Sequence, residues 1–385
     1  MGQLVQAKIV LSINSSWNIV NFRSGLIRSL VAAGHEVVVV SPQDAYSEKI
    51  PALGCRYIPM PIDSGGVHPG RDLLLVVQYL RILFKEKPSV YLGYTVKPNI
   101  YGSLACHLLR IPVISNIAGL GFVFMAGGWL RPLVRFMYRA ALMPARLVFF
   151  QNEEDREYFV SWLITRRQRT LVLPGSGVDL DRFAYSAPIR DSSHSGVKFL
   201  LVARMLWDKG VGEFVEAARV LQQEFPDCEW ALLGAVKGSN PACIAPEIVD
   251  QWVAEGVVTY LGVTDDVCSY IRDADCVVLP SYREGRPRVL LEAMAVGRPI
   301  VAANSVGCRE VVREGENGFL CEPKDVDSLV EAMRKVIKMS FEQRVEMGRR
   351  GRAIAEREFD EKIVINAYLE QVAKVCGCDG QRVAG

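Results

Sequence analysis

Glu284-Gly-Arg-Pro-Arg-Val-Leu-Leu-Glu292 sets two carboxylates eight positions apart across a glycine, a proline and a short apolar run. Just upstream, Cys276 to Leu279 read as a buried strand that ends in Pro280-Ser281. Downstream, Glu292 to Met294 lead into a helix that stops at Gly297. One acid therefore falls on the loop leaving a strand, and the other about a turn inside the next helix. That is where an open α/β sheet binds its ligand. Pro287 suits the first position of the helix, where free amides face an anion. Carboxylates flanking an anion hole suit a hydroxyl-rich phosphate ester such as a nucleotide-sugar. The same spacing also describes a capped surface helix carrying a solvated glutamate.

Arg204-Met-Leu-Trp-Asp-Lys209-Gly210 follows another strand, Val197 to Ala203, and so falls on the same edge of the same sheet. Two fixed cations there can hold a diphosphate without a metal. Together with Glu284 and Glu292, this resembles the donor half of retaining GT-B glycosyltransferases of family 4. The likeness runs on through Ala293-Met-Ala-Val-Gly297-Arg-Pro299 and Gly307-Cys-Arg-Glu310 to Glu314-Gly-Glu-Asn-Gly318. It includes Gly177-Val-Asp179-Leu-Asp-Arg182-Phe183, which in that family leads into the interdomain region. The resemblance implies donor contacts from Gly285, Arg286, Pro287, Arg288, Val289 and Leu290, sugar-hydroxyl binding by Glu284, and ribose binding by Glu292.

At 385 residues, two domains are expected, each long enough to bury a full core. A net charge of +2 is too small to suggest a nucleic-acid partner. Ten cysteines are scattered through apolar segments, with only Cys376-Gly-Cys378 closely spaced. That reads as reduced packing cysteine in a cytoplasmic protein. The N-terminus has only a short apolar run after Lys8, which is not the pattern of a signal peptide. Ile111 to Leu130 carry no charge over twenty positions, the length of a membrane span. Gly119, Gly121, Gly127 and Gly128 argue instead for a buried strand, Pro112 to Ile117, followed by a glycine-rich loop.

Strands and helices alternate twice over. Ala7 to Ile13, Glu36 to Ser41, Ser89 to Tyr94, Pro112 to Ile117, Leu147 to Gln151 and Thr170 to Leu173 read as strands of the first half. Val197 to Ala203, Glu229 to Gly234, Val257 to Leu261, Asp275 to Leu279 and Pro299 to Ala302 repeat the arrangement. Apolar strands separated by helices imply α/β architecture with parallel sheets covered on both faces. The polar stretch Ser186 to Gly196 marks the boundary. The expectation is a GT-B pair of Rossmann-like domains facing across a cleft: residues 1–188 for acceptor and membrane, residues 189–360 for the donor, and a helix in 361–385 that crosses back to the first domain.

Neither half carries a GxGxxG fingerprint or a P-loop, which disfavours dinucleotide oxidoreduction. Asp179-Leu-Asp181 and Asp273-Ala-Asp275 mimic a metal-binding triplet. The second reads as the end of a helix and the opening of a strand, and neither is assigned to a metal; no cofactor is expected beyond the donor itself.

The first half speaks through its charge pattern. No Asp or Glu occurs from Lys87 to Asn152, while Lys and Arg recur there. Arg131, Arg135 and Arg139 form one helical stripe beside Trp129, Leu130, Leu133, Val134, Phe136 and Met137. A basic amphipathic helix suits an anionic membrane surface; a solvated face on a core helix is the plainer alternative. Two further segments carry the resemblance: Ser16-Trp17-Asn18-Ile19-Val20-Asn21-Phe22-Arg23 after the first strand, and Tyr94-Thr-Val-Lys97-Pro-Asn99-Ile-Tyr-Gly102. With Gly119-Leu-Gly-Phe-Val-Phe124, they look like the branch of family 4 that builds surface polysaccharides and glycoprotein oligosaccharides on undecaprenyl diphosphate, N-acetylgalactosaminyltransferases among them. That likeness implies a UDP-sugar donor, a lipid-linked saccharide acceptor, and peripheral attachment at the inner face of the plasma membrane. Trp17, Asn18, Arg23, Lys97, Asn99 and the arginine stripe would serve acceptor or membrane.

Two departures stand out. Asn14-Ser-Ser-Trp17 replaces the paired glycine that many members have in the first loop, and Ala118 stands where many have a histidine. Acid–base catalysis by histidine is therefore not expected. The costly event is departure of the nucleoside diphosphate, which Arg204, Lys209 and the helix amides can stabilise. The leaving phosphate can take the acceptor's proton on the same face, giving retention. The reading is a metal-independent retaining glycosyltransferase that moves an N-acetylhexosamine. The alternatives are a soluble acceptor, a nucleotide-sugar epimerase of the same fold, a non-catalytic binding scaffold, or a glycosidase pair of carboxylates.

Overall fold

The computed structural model describes residues 6–63, 69–119, 130–188, 196–236, 240 and 242–377, the side chains of Pro69 and Leu130 excepted. The chain divides into two units, residues 1–176 with 362–385, and residues 177–361. Each is a parallel sheet with helices on its faces.

In the first unit the strands are β1 (Lys8–Ser12), β2 (Glu36–Ser41), β3 (Arg56–Pro59), β4 (Val90–Tyr94), β5 (Val113–Ile117), β6 (Leu147–Phe150) and β7 (Thr170–Val172). Their order is β3-β2-β1-β4-β5-β6-β7, so the chain builds outward from β1 in both directions. Continuous burial along β1, β2, β4 and β5 follows from their valine- and isoleucine-rich runs, which pack on both faces. The helices Pro69–Glu86, Ser103–Leu108 and Leu130–Leu142 share a core on one face of the sheet. Ser16–Phe22, Ser24–Ala32 and Glu361–Cys376 contribute to the core on the other.

The second unit holds β8 (Lys198–Val202), β9 (Glu229–Leu233), β10 (Thr259–Tyr260), β11 (Cys276–Leu279), β12 (Ile300–Ala303) and β13 (Gly318–Cys321), in the order β10-β9-β8-β11-β12-β13. Gly177 and Val178 lie against Asp360 and Glu361, where the chain enters and leaves this unit. A side chain on Gly177 would meet the Glu361 backbone at 2.4 Å.

Strands β3 and β13 were not expected from sequence. Arg56-Tyr-Ile-Pro is a four-residue edge strand with exposed ends, and Gly318-Phe-Leu-Cys follows a glycine-rich turn that hides its apolar run. Pro287, expected as the first helical residue, is instead the N-cap of Arg288–Val296 with an extended ψ of 115°. Gly119-Leu-Gly-Phe-Val-Phe124 falls outside the described residues after Gly119, as does Trp129.

The C-terminal helix Glu361–Cys376 is anchored in the first unit by Tyr368. Its ring lies 4.5 Å from Phe149 and 6.0 Å from Tyr94, centroid to centroid. Its hydroxyl accepts a hydrogen bond of 2.9 Å from the Asn116 amide. Tyr368→Ala should cost about 3–5 kcal/mol in chemical denaturation. Tyr368→Phe keeps the ring but strands the buried amide, and should cost about 1–3 kcal/mol.

Candidate functional site

The second sheet reverses direction between β8 and β11: β9 and β10 extend one way, β12 and β13 the other. Loops leaving the carboxyl ends of two adjacent parallel strands diverge at such a point and leave a crevice. Arg204-to-Gly210 leaves β8, and Pro280-to-Pro287 leaves β11.

Backbone and hydroxyl contacts stitch these loops together. The Tyr282 amide donates to the Asp208 carbonyl at 3.0 Å, and the Ser281 hydroxyl donates to the same carbonyl at 3.2 Å. The buried Ser305, after β12, donates to the Ser281 carbonyl at 2.7 Å, and the Glu284 amide donates to the Val306 carbonyl at 2.9 Å. Two glycines make the approach possible. Gly210, at φ 72°, would set a Cβ 2.3 Å from the Pro280 carbonyl. Gly307, at φ 87°, would set one 2.5 Å from the Glu284 carbonyl. Neither position tolerates a side chain in this backbone.

Across the stitched loops, Lys209 Nζ donates to Glu284 Oε1 at 2.5 Å, both side chains being mostly buried. Arg204 is exposed, and its guanidinium has no hydrogen bond or ion pair with a described residue. The site therefore offers one cation fixed by a carboxylate and one, Arg204, open to solvent. The nine-residue helix Arg288–Val296 opens beside them with no acidic residue in its first turn, so its positive end is uncompensated there. The helix ends at Gly297, left-handed at φ 89°.

Of the residues expected to hold a donor, Leu290 is wholly in the core and offers only its backbone, while Val289 packs against that core. Gly285 contributes a carbonyl pressed against Gly307. Arg286 is turned onto the Phe359 ring, 5.5 Å from its centroid; burial lowers its pKa, and Glu310 and Glu358 oppose that. Pro287 is buried at the helix cap. Glu292 is only 8% exposed and accepts from Arg288 Nε at 2.9 Å. Burial pushes its carboxyl above the usual range, against the pull of Arg288 and Arg182. The Arg288–Glu292 pair was legible as an i, i+4 spacing but was read only as two separate ligand groups. Arg182, which acts on Glu292 from 110 positions away in sequence, gave no local signal.

The acidic triplets have structural work. Asp179 Oδ1 accepts from the Asp181 and Arg182 amides, and Asp275 Oδ2 accepts from the Lys198 amide at 2.9 Å, closing the entry of β8 beside β11.

In the first unit, the expected acceptor residues gather at the matching switch between β1 and β4. Trp17 is partly exposed, its amide held by Asp44 at 3.0 Å and its ring edge-on to Phe22. Asn18, with its amide 3.4 Å from Ser15 Oγ, turns its side-chain oxygen into the interior. Asn99 is buried and donates to the Asn116 carbonyl at 2.8 Å. Lys97 is neutralised by Asp72 at 2.9 Å. Arg23 is different: only 6% exposed, it lies 4.5 Å over the Tyr94 ring and donates only to the Phe22 carbonyl at 3.4 Å, with no ion pair to a described carboxylate. The arginine stripe does not stand free. Arg131 and Arg135 both donate to the Tyr158 hydroxyl, Arg135 stacks 3.4 Å from the Trp162 ring centroid, and Arg139 donates to the Leu163 carbonyl at 2.9 Å. An adjacent helix, Glu153–Ser161, and the two residues that follow it supply these partners, which the sequence pattern of the stripe alone does not reveal.

Two parallel α/β units, each with a crevice at its strand reversal, define a GT-B glycosyltransferase fold. Residues 20–175 match a glycosyl transferase 4-like domain and residues 189–354 match glycosyl transferases group 1. The chain belongs to the glycosyltransferases. It is 28% identical over 376 residues to the N,N'-diacetylbacillosaminyl-diphospho-undecaprenol alpha-1,3-N-acetylgalactosaminyltransferase of Campylobacter jejuni, covering 93% of this chain and 96% of that one. It is 28% identical over 280 residues to a UDP-Gal:alpha-D-GlcNAc-diphosphoundecaprenol alpha-1,3-galactosyltransferase of Escherichia coli, covering 69% and 70%. The structure of Anabaena HepE in complex with UDP and glucose superposes with a TM-score of 0.77 at 19% identity, over 96% of this chain and 100% of that one.

The raised pKa of Glu292 fixes a sign for stability. A carboxyl that prefers its protonated form when folded contributes stability at low pH, and that contribution is lost as pH rises through the folded pKa. Glu292→Gln should therefore gain melting temperature relative to the parent as pH rises above the ordinary carboxylate range, with the gap closing on acidification. A gap that is flat with pH would contradict the assignment.

Proposed function

We propose that this glycosyltransferase moves a sugar, an N-acetylhexosamine, from UDP to a saccharide carried on undecaprenyl diphosphate, with retention and without a metal ion. The Lys209–Glu284 ion pair carries the reading, because it sets a cation and a hydroxyl acceptor side by side at the β8–β11 crevice. Arg204 and the opening of the Arg288–Val296 helix complete a cradle for two phosphates. The names of the Campylobacter and Escherichia relatives support the donor and the lipid carrier.

Each residue then has a task. Lys209, Arg204 and the first-turn amides draw negative charge onto the β-phosphate as the bond from sugar C1 to phosphate oxygen breaks. The acceptor hydroxyl bonds to C1 on the same face, and its proton passes to the departing phosphate oxygen, so UDP leaves with the proton and the configuration is kept. Glu284 accepts from sugar hydroxyls and orients the ring; Glu292 accepts from the ribose, with Arg288 holding its carboxylate in place. Gly285, Arg286, Pro287, Val289 and Leu290 form the backbone that aims these groups. On the acceptor side, Trp17, Asn18 and Asn99 line the β1–β4 crevice, and Arg23, buried without a carboxylate, is the cation best placed for the lipid diphosphate. Lys97, paired with Asp72, ties the loop after β4 to the helix Pro69–Glu86, and Arg131, Arg135 and Arg139 add positive charge to the same unit.

The test is turnover by the full chain with undecaprenyl-diphosphate saccharides, a panel of UDP-sugars and a chelator. A lipid product one N-acetylhexosamine heavier, with the anomeric configuration of the donor, is expected. Lys209→Met should lower kcat by roughly 10²–10³-fold. UDP release without a heavier lipid would overturn the acceptor assignment, and activity lost to the chelator would overturn the metal-free chemistry.

A further inference from the structure

The helix Pro69–Glu86 has an outward face that the transfer reaction does not use. Leu73 and Phe84 are 67% and 68% exposed, and Leu74 also stands open. Leu73 and Phe84 are eleven residues apart, about three turns, so they share one azimuth roughly 16 Å apart along the axis. Val77 and Leu80, half-buried, lie in the same stripe. Arg81 and Lys85 flank it on one side, with Arg71 further round, and all three are exposed. Both acids of the helix are turned inward: Asp72 pairs with Lys97, and Glu86 pairs with Lys8 and Arg56.

The neighbouring helices extend this surface. Pro69–Glu86 packs beside Ser103–Leu108, which packs beside Leu130–Leu142. Leu108 and Phe136 are 71% and 68% exposed on the latter two. Between Pro69 and Arg146 the chain has ten basic residues and only two carboxylates, the two already buried in ion pairs. No exposed carboxylate therefore interrupts this layer. Acids resume at its edge, in the helix Glu153–Ser161.

Large apolar side chains open to water among unopposed cations suit an interface that is oily below and anionic above. No helix among the described residues is long and apolar enough to cross a membrane. We propose that the outer surface of these three helices seats the protein on an anionic lipid bilayer, with Pro69–Glu86 as the anchor. Leu73, Leu74 and Phe84 enter the acyl boundary, while Arg71, Arg81 and Lys85 take the headgroup phosphates. This rests on the lipid-linked acceptor reading for its biological sense. It also moves the contact away from the arginine stripe, whose guanidinium groups are engaged by Tyr158, Trp162 and Leu163. A second copy of the chain is the competing occupant, but Arg71, Arg81 and Lys85 of one copy would then face the same cations of the other, which opposes it.

The experiment is flotation of the full chain with vesicles of phosphatidylcholine alone, and with vesicles in which a third of the lipid is phosphatidylglycerol. Binding is expected to the anionic vesicles and to weaken with salt. Leu73→Gln with Phe84→Gln should reduce it at least tenfold. Arg81→Gln and Lys85→Gln should each reduce it roughly fivefold and flatten the salt dependence. Turnover on a short-chain, water-soluble diphosphate acceptor should be unchanged in all three variants, which separates failure of this surface from failure of the transfer reading. Vesicle binding unaltered by the Leu73 and Phe84 changes, equal binding to neutral vesicles, or a dimer in sedimentation that these changes dissociate would overturn the proposal.

Discussion

The second unit depends on one constraint: β8 and β11 are neighbours in space, but their loops must part. A parallel sheet cannot avoid a gap where its order reverses, and this chain braces the gap with a salt bridge. Lys209 and Glu284 are 75 positions apart, yet they meet at 2.5 Å across it. The brace needs Gly210 beneath Pro280 and Gly307 beneath Glu284, because any side chain there would strike a carbonyl. It also needs Ser281 and Ser305, which hold the backbone of the three loops together. Lys209 and Glu284 are thus held in place by the fold itself, and preorganised charge is worth most when it need not move.

The first unit has a strand reversal of its own. Its reversal lies between β1 and β4, where Arg23 rests on Tyr94 at the end of β4. Lys97 and Arg23 are both largely buried, but among the described residues only Lys97 of the two has a carboxylate, from Asp72. A buried guanidinium with no counter-ion is expensive unless an anion completes it. The C-terminal helix reinforces this place, since Tyr368 packs on Tyr94 and bonds Asn116.

Most of the fold was legible because its strands are continuous apolar runs ending in glycine or proline, as in Cys276 to Pro280. The loop-to-helix step from Glu284 to Gly297 was equally readable, since Pro287 and Gly297 punctuate both ends. What escaped was whatever depends on distant partners. Arg56–Pro59 and Gly318–Cys321 are strands only because β2 and β12 lie alongside them. The arginine stripe was correctly spaced, but Tyr158 and Trp162, which hold it, belong to another helix and its C-terminal cap. The outward face of Pro69–Glu86 is not legible in the sequence, because only burial separates Leu75, Tyr79 and Leu83 from Leu73 and Phe84.

On the proposed function, the nucleotide diphosphate lies at the β8–β11 crevice, between Arg204, Lys209 and the opening of the Arg288–Val296 helix. Amide hydrogen exchange with and without UDP tests it most directly. Slowed exchange confined to residues 204–210 and 284–292 is the predicted result. Protection that leaves those two loops unchanged, or that falls instead on the β1–β4 crevice of the first unit, would contradict it.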